Sequence, residues 1–309
     1  MSDLRPISDV LRPFQIERTQ LRGRAVRLGA VVDRVLGSHG YPEPVSLLLG
    51  ELMVLAAGFA GGLKFEGMFS LQLRGDGPVG MMVADVTNSG AMRGHASFDA
   101  AAVAAAGGEA MPGLECLLGK GLMALTVDQT AHGGQVYQGI VELGRRSLQD
   151  AMLAYFQQSE QVPTGIRSAI HHDPVHETWC AGAVIVQAMP GEGPADIASA
   201  RRDDDWRRTM LLLQTLTDHE LVNKSLPLDD LLMRLFHEDG VRAFPPLTLA
   251  FECSCSVDRV KNMLRQFGAT EIEDMRDNDG RITVTCEFCS KIYRFDDQNL
   301  SDIMRGLPN

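Results

Sequence analysis

Residues 253–255 read Cys-Ser-Cys and residues 286–289 read Cys-Glu-Phe-Cys, with thirty residues between the two pairs. Two close thiol pairs, each on a tight turn and joined by an intervening helix, supply what a tetrahedral four-sulfur zinc site needs. The sequence therefore predicts one Zn²⁺ per chain, held by four of its six cysteines. The predicted ligands are Cys253, Cys255, Cys286 and Cys289.

The residues around these pairs predict a helix-plus-hairpin module. Ser256 can cap a helix that Gly268 ends, and Thr270 to Glu273 match a capping box for a second short helix. Ile282 and Val284 alternate before the second cysteine pair, and Ile292 and Phe295 follow it, so the pair is expected at the tip of a hairpin.

A module of about sixty residues has a marginal core of its own. Zinc typically contributes about 10 to 16 kcal/mol at neutral pH, so metal loss would unfold the module. Spacing alone favours a permanent structural zinc ribbon. A Cys-x-Cys disulfide closes a cramped ring, however, and should be readily reduced again, which suits a reversible sensor. Zinc-held thiolates can react with peroxide or hypochlorous acid, and each pair supplies a resolving cysteine.

The upstream sequence mixes helical and strand patterns, which predicts an α+β fold: a mixed N-terminal domain with β-hairpins around a buried helix. That helix is expected at residues 45–63, a stretch long enough to span a bilayer but interrupted by Glu51 and four glycines. Alternating residues predict hairpins at 69–83 and 122–141. An amphipathic helix should follow the N-cap Ser147.

Composition predicts three parts. Residues 1–190 are expected to form the N-terminal α+β domain, residues 191–244 a metastable helical linker, and residues 245–309 the C-terminal zinc domain. The first boundary is placed at Gly-Glu-Gly-Pro, residues 191–194, and the second at Pro-Pro, residues 245–246. The two linker helices have apolar stripes but little core of their own.

The overall charge and the first residues of the chain bear on its binding partners and its location. The 309 residues carry a formal net charge of −11, which disfavours nucleic acid and anionic membranes. The first residues, MSDLRPISDVLRPF, lack the features of a secretory signal, so a cytoplasmic location is expected. Cysteines in that compartment favour metal binding or redox chemistry over a static disulfide framework.

Several rival sites are weaker. Residues 75–80 match a dinucleotide fingerprint, but the flanking strands predict a hairpin turn. Residues 113–121 resemble a phosphate loop with one residue too many, so no ATP requirement is expected. His172, His176 and Cys180 have metal-ligand spacing, yet Pro174 favours an exposed loop.

Since neither a nucleophile motif nor paired carboxylates are recognisable, we predict no enzyme activity. Cys116 and Cys180 are predicted to be buried, inert thiols.

With these motifs in view, the sequence resembles the redox-regulated 33 kDa heat-shock chaperone family, the 33 kDa chaperonins. The resemblance covers nearly the whole chain and rests first on the cysteine spacing and on Phe-Glu-Cys-Ser-Cys at residues 251–255. Four upstream blocks extend it: YPEPVSLLLGEL, LKFEGMFSLQLRGDGPVG, YQGIVELGRRSLQDAMLAYFQQSEQVPT and LLMRLFHEDGVRAF.

The resemblance implies an ATP-independent holding chaperone of the stress response, with residues 1–190 as the chaperone domain and residues 245–309 as the zinc redox-switch domain. Oxidation would pair Cys253 with Cys255 and Cys286 with Cys289, zinc would leave, and the tail and linker would unfold. Apolar surface would then capture unfolded client proteins, and the oxidised form would be a homodimer. The same residues are thus zinc ligands when reduced and redox-active disulfides when oxidised.

Two alternatives come from other classes. A zinc-ribbon regulator would bind nucleic acid or a transcription complex, but residues 245–309 carry eight basic and eleven acidic side chains, a net charge of −3. A thiol oxidoreductase would use Cys286 and Cys289, but the strand and helix pattern of a thioredoxin fold does not surround them.

Overall fold

The computed structural model describes residues 9–106, 113–144, 147–188 and 195–304. The chain divides into two compact units, Met1–Phe251 and Glu252–Asn309. Both units combine helices with antiparallel strands, so the predicted α+β class is confirmed. The division at 190 and 244 stays a prediction, and its first boundary motif, residues 191–194, lies outside the described residues.

The elements follow one another along the described chain with short connections. The strands are β1 (Val10–Ile16), β2 (Leu21–Leu28), β3 (Met68–Gly75), β4 (Val79–Thr87), β5 (Ala91–Phe98), β6 (Gly121–Asp128), β7 (Val136–Leu143), β8 (Thr164–Asp173), β9 (Thr178–Gln187), β10 (Val241–Ala243), β11 (Leu247–Thr248), β12 (Ala250–Phe251), β13 (Ile282–Thr285) and β14 (Ile292–Phe295). The helices are α1 (Ala30–Gly37), α2 (Glu43–Ala60), α3 (Ala100–Ala106), α4 (Leu114–Leu118), α5 (Leu148–Tyr155), α6 (Ala195–Gln214), α7 (Asp218–Val222), α8 (Leu228–Phe236), α9 (Val257–Leu264), α10 (Ala269–Asp274) and α11 (Asp297–Met304).

The larger unit contains two six-stranded sheets. The first has the order β10-β1-β2-β9-β8, with β11 also paired to β1, and the second has the order β12-β5-β4-β3-β6-β7. The predicted hairpins are confirmed as the antiparallel pairs β3–β4 and β6–β7. The predicted N-cap is also confirmed, because the Ser147 hydroxyl accepts a hydrogen bond from the Asp150 backbone N–H at 3.1 Å.

Helix α2 is the buried helix that the sequence predicts. It is the one helix among the described residues that is long and apolar enough to cross a membrane, and 78% of it is buried. A Cβ atom on Gly58 would meet Ile185 of the first sheet at 2.5 Å, while Met53 packs against Gly94 of the second. Helix α2 therefore lies between the two sheets as a core element.

Helices α6 to α8 cover the other face of the first sheet. Side chains alternate along a strand, so β1 sends Leu11 into the cluster around α2 and sends Val10 and Phe14 to the opposite face. There, Phe14 stacks on Phe236 of α8 with ring centroids 6.0 Å apart. The apolar stripes predicted for these helices thus rest on the sheet.

The smaller unit is a short hairpin with three helices. Ser256 caps α9 as predicted, accepting from the Arg259 N–H at 3.2 Å. The capping box predicted from Thr270 to Glu273 is wrong, because α10 starts earlier and Glu271 accepts from the Gly268 N–H at 2.8 Å. The core consists of Val260, Leu264, Ile272, Ile282, Tyr293, Phe295 and Leu300.

Candidate metal centre

The four cysteines lie on two short segments of the smaller unit. Cys253 and Cys255 precede α9, and the second pair occupies the turn between β13 and β14, as predicted. Cys286 closes that turn, since its N–H donates to Lys291 O at 2.9 Å and its carbonyl accepts from Ser290 at 2.8 Å. The hairpin therefore fixes one thiol pair, and the start of α9 fixes the other.

The structure brings all four predicted ligands together. Their Sγ atoms lie within 4.8 Å of one another. Cys253 Sγ is 3.6 Å from Cys286 Sγ, and Cys255 Sγ is 3.4 Å from Cys289 Sγ. Zinc–sulfur bonds of roughly 2.3 Å in a tetrahedron place the sulfurs about 3.8 Å apart, so the observed spacing fits such an ion. The cluster is thus a four-thiolate site able to hold a metal.

Tyr293 is a functional neighbour that the sequence analysis missed. Its hydroxyl donates to Cys255 Sγ at 3.1 Å. Ile292 and Phe295 do not share a face of β14, because Ile292 is exposed, while Tyr293 and Phe295 are buried on the inner face. Strict alternation counted back from Phe295 would have pointed to Tyr293.

The thiols of the cluster differ in acidity when no metal is bound. Burial raises the pKa of Cys255, but hydrogen bonds from Tyr293 and the neighbouring thiols outweigh it and lower that pKa to about 7. Burial and neighbouring thiols raise the pKa of Cys289 to about 12, and burial raises that of Cys253. Cys255 is therefore more readily ionised than Cys253 or Cys289 in the metal-free cluster.

The rival histidine site is not assembled. His176 Nδ1 lies 2.7 Å from Asp173 Oδ2, and His172 stacks on Trp179 with ring centroids 4.4 Å apart. The segment is the end of the β8–β9 hairpin, so the predicted loop is confined to its four-residue turn. Among the residues that the structure describes, only the four-cysteine set groups as metal ligands.

The two remaining cysteines differ from each other. Cys180 is buried on β9, as predicted, and its thiol donates to Val222 O at 3.3 Å. The prediction is wrong for Cys116, which is exposed on α4. Helix α4 turns its leucines inward, which leaves Cys116 on its outer side. Residues 75–80 contain the turn between β3 and β4, as predicted.

Comparison with known proteins identifies the protein family to which this chain belongs. The family described as Hsp33 protein matches residues 9–296. The 33 kDa chaperonin of Caulobacter vibrioides is 41% identical over 303 residues, covering 96% of this chain and 99% of the relative. That of Azotobacter vinelandii is 37% identical over 299 residues, covering 96% and 95%.

A solved structure shares the fold. The crystal structure of the 33 kDa chaperonin from Thermotoga maritima superimposes with a TM-score of 0.78 at 20% sequence identity, covering 96% of this chain and 98% of that one. Fold and site together define a chaperone with a C-terminal four-cysteine cluster able to hold a metal. The chain belongs to the Hsp33 family, the 33 kDa chaperonins, which are chaperones and not enzymes and whose partners are unfolded client proteins.

Proposed function

We propose that this chain is a redox-regulated, ATP-independent holdase that protects unfolding or oxidatively damaged proteins from aggregation in the cytoplasm. The observation that carries the proposal is the four-sulfur cluster, which packs against the small apolar core of its unit. In such a unit, the chemistry of the sulfurs and the stability of the fold are coupled.

We assign one Zn²⁺ to Cys253, Cys255, Cys286 and Cys289 in the reduced chain. The donor set supports this choice, since four thiolates at tetrahedral spacing suit zinc. Bound zinc would supply the free energy that keeps the unit folded, about 10 to 16 kcal/mol in small zinc modules. Tyr293 would hold Cys255 in place by donating to its sulfur.

Activation is an oxidation of these ligands. A thiolate attacks hydrogen peroxide, forming a sulfenic acid and releasing hydroxide; a second thiol then displaces water to give a disulfide. Two peroxide molecules thus convert four thiols into two disulfides, and four electrons pass to peroxide oxygen. Family resemblance pairs Cys253 with Cys255 and Cys286 with Cys289, and every sulfur of the cluster is within reach of the other three.

Sulfurs joined in disulfides no longer bind zinc as thiolates, so the smaller unit loses the metal that is its main source of stability. We propose that the linker, residues 191–244, then leaves the first sheet and uncovers apolar surface for clients. The packing of α6 to α8 on the sheet supports this step, because the apolar side chains of these helices are buried in a cluster that the sheet completes. The oxidised chain is proposed to act as a homodimer.

The test measures metal release and client protection on the same samples. Full-length protein is treated with peroxide at elevated temperature, released zinc is followed with a chromogenic chelator, and aggregation of a heat-unfolding reporter enzyme is followed by light scattering. We expect one zinc released per chain as protection appears. Cys116→Ser is the matched control, because Cys116 is exposed and outside the cluster, and it should behave as the parent does.

Two results would contradict the proposal. Zinc that stays bound while protection appears would show that the cluster is structural. Zinc that leaves without any protection would show that the cysteines do not control client holding, and the holdase mechanism would be withdrawn.

A further inference from the structure

A small cavity lies in the larger unit near the end of α2, between side chains of both sheets. Its volume is about 130 Å³, and six apolar side chains line it: Phe59, Leu63, Phe69, Leu125, Val127 and Phe156. Apolar cavities of about 150 Å³ bind benzene in other proteins. The cavity therefore has room for one six-membered ring.

One wall of the cavity is built on a rare backbone conformation. Residues Phe156–Glu160 form a π-helical turn that follows α5, and the first and last residues of this turn both line the cavity. Phe156 stacks on Phe59 of α2 with ring centroids 4.4 Å apart. Because π-helical turns are rare and occur frequently at functional sites, this wall marks the cavity as a candidate binding site.

The acidic residue of the cavity already has partners in the protein. The Tyr155 hydroxyl donates to Glu160 Oε1 at 2.8 Å, and the Tyr137 hydroxyl donates to the same oxygen at 3.2 Å. Burial and the hydrogen bond to Glu160 raise the pKa of Tyr155, so its hydroxyl stays protonated and remains a donor. The negative charge of Glu160 is thus partly compensated by two hydrogen bonds.

The basic residue of the cavity is less well compensated. Arg24 of β2 is partly buried, and its Nη1 donates to Gln187 Oε1 at 2.7 Å. Gln187 in turn donates from Nε2 to Thr164 Oγ1 at 3.2 Å, which keeps its amide oxygen toward the guanidinium. Among the residues that the structure describes, Nε and Nη2 of Arg24 have no hydrogen-bond acceptor, and no acidic side chain forms an ion pair with Arg24.

The position of Arg24 is costly for its charge. Burial and repulsion from Arg22 lower the pKa of Arg24 to about 10, so the guanidinium is still charged at neutral pH although part of its hydration is lost. The end of α2 lies beside it, since a Cβ atom on Gly62 would lie 2.1 Å from Arg24 Nη2. The helix dipole offsets about half a charge. That explains why an arginine is tolerated there but leaves two of its nitrogens without acceptors.

We infer that this cavity binds a small aromatic monocarboxylate, with its ring among the apolar side chains and its carboxylate on Nε and Nη2 of Arg24. A guanidinium matches a carboxylate through two parallel hydrogen bonds, and the volume limits the apolar part of the ligand to one ring. Glu160 lines the same cavity, so a second negative charge on the ligand would be repelled. The site uses none of the four clustered cysteines and is independent of the proposed redox mechanism.

The experiment titrates the full, reduced, isotope-labelled chain with benzoate and with benzamide, its neutral isostere, and follows amide chemical shifts by NMR. We expect benzoate to saturate one site and to bind about tenfold more tightly than benzamide, which corresponds to about 1.4 kcal/mol, because only the carboxylate neutralises Arg24. Isophthalate, which adds a second carboxylate to the ring, should bind more weakly than benzoate. Absence of benzoate binding, or equal affinity for benzoate and benzamide, would overturn the inference.

Protein variants test whether Arg24 provides the preference. Arg24→Gln should bind benzoate and benzamide with similar affinity. Arg74→Gln is the matched control, because Arg74 is exposed on β3 and does not line the cavity, and it should keep the parent's preference for benzoate. A preference for benzoate that persists in the Arg24 variant would show that another group binds the carboxylate.

A variant that fills the cavity tests the location independently of the charge. Val127→Phe adds volume at a partly buried position in the wall, so it should weaken the binding of both ligands by about tenfold or more. Thermal unfolding of each variant establishes that it is folded, and this variant remains informative if Arg24→Gln proves unstable. Unchanged affinity for benzoate in the folded Val127 variant would place the ligand elsewhere and overturn the site.

Discussion

The two units of this chain differ in what holds them together. The larger unit buries α2 between two six-stranded sheets, with side chains such as Leu49 and Leu52 fully enclosed. The smaller unit encloses seven apolar residues around a hairpin of two four-residue strands. Burial scales with size, so the larger unit can be stable by its core alone, whereas we expect the smaller one to depend on a metal held by its four cysteines. We therefore propose that one chain combines a permanent scaffold with a module whose folding depends on metal.

Removing the metal while keeping the thiols reduced is the strongest test of this difference between the two units. We expect a chelator to unfold residues 252–309 and to leave the two sheets intact, because the smaller unit loses a contribution of about 10 to 16 kcal/mol. Limited proteolysis mapped by mass spectrometry checks this. Cuts should appear in the smaller unit, and readdition of zinc should suppress them. A smaller unit that resists the protease without metal would contradict the account.

A core substitution in the larger unit tests the other side of the comparison. Leu49→Ala removes a side chain that is 0% exposed, and the cavity should destabilise the larger unit by about 2 to 5 kcal/mol. Thermal unfolding should shift downward while zinc affinity stays unchanged. Leu211→Ala, at a position 59% exposed, is the matched control and should shift neither. Loss of zinc affinity in the Leu49 variant would show that the two stabilities are not separate.

A smaller effect is expected from Tyr293→Phe. The Tyr293 hydroxyl donates to Cys255 Sγ and stabilises the thiolate, so removing it should raise the pKa of Cys255 above its value of about 7. Because zinc binds the thiolate, the variant should bind zinc more weakly than the parent, with the larger difference below pH 7, and chelator competition measured over a pH series checks this. Tyr137→Phe, in the larger unit, should leave the zinc affinity unchanged. An unaltered zinc affinity across the pH series in the Tyr293 variant would exclude this role.

The smallest effects concern the two cysteines outside the cluster. Cys116 is exposed and Cys180 is buried, so iodoacetamide should label Cys116 quickly in the native reduced chain and Cys180 only slowly. Burial also raises the pKa of Cys180, which further slows its reaction. Peptide mapping gives both rates. Equal labelling of the two thiols would place Cys180 outside the stable core.

Much of this organisation can be predicted from sequence because its signals are local. The ligand spacing, the cap at Ser256 and the alternation on either side of the β3–β4 turn each depend on residues close in the chain. They were sufficient to identify the metal module, the hairpins and α2.

The predictions that were wrong concern features that depend on tertiary packing and not on local sequence. Whether Cys116 is exposed depends on which side of a five-residue helix meets its neighbours, and that is decided by tertiary packing. Local alternation counted back from Phe295 places Tyr293 on the inner face of β14. Its contact with Cys255 joins residues 38 apart in the chain, and the local pattern does not show such a contact.

Hydrogen exchange of the full chain, reduced and then oxidised with peroxide, tests the central claim most directly. The account predicts that residues 252–304 and 206–239 lose protection on oxidation, at the same rate as client holding appears, while β3, β4 and β6 stay protected. A chain that holds clients while residues 252–304 keep their protection would contradict it, because activation would then proceed without unfolding of the metal module.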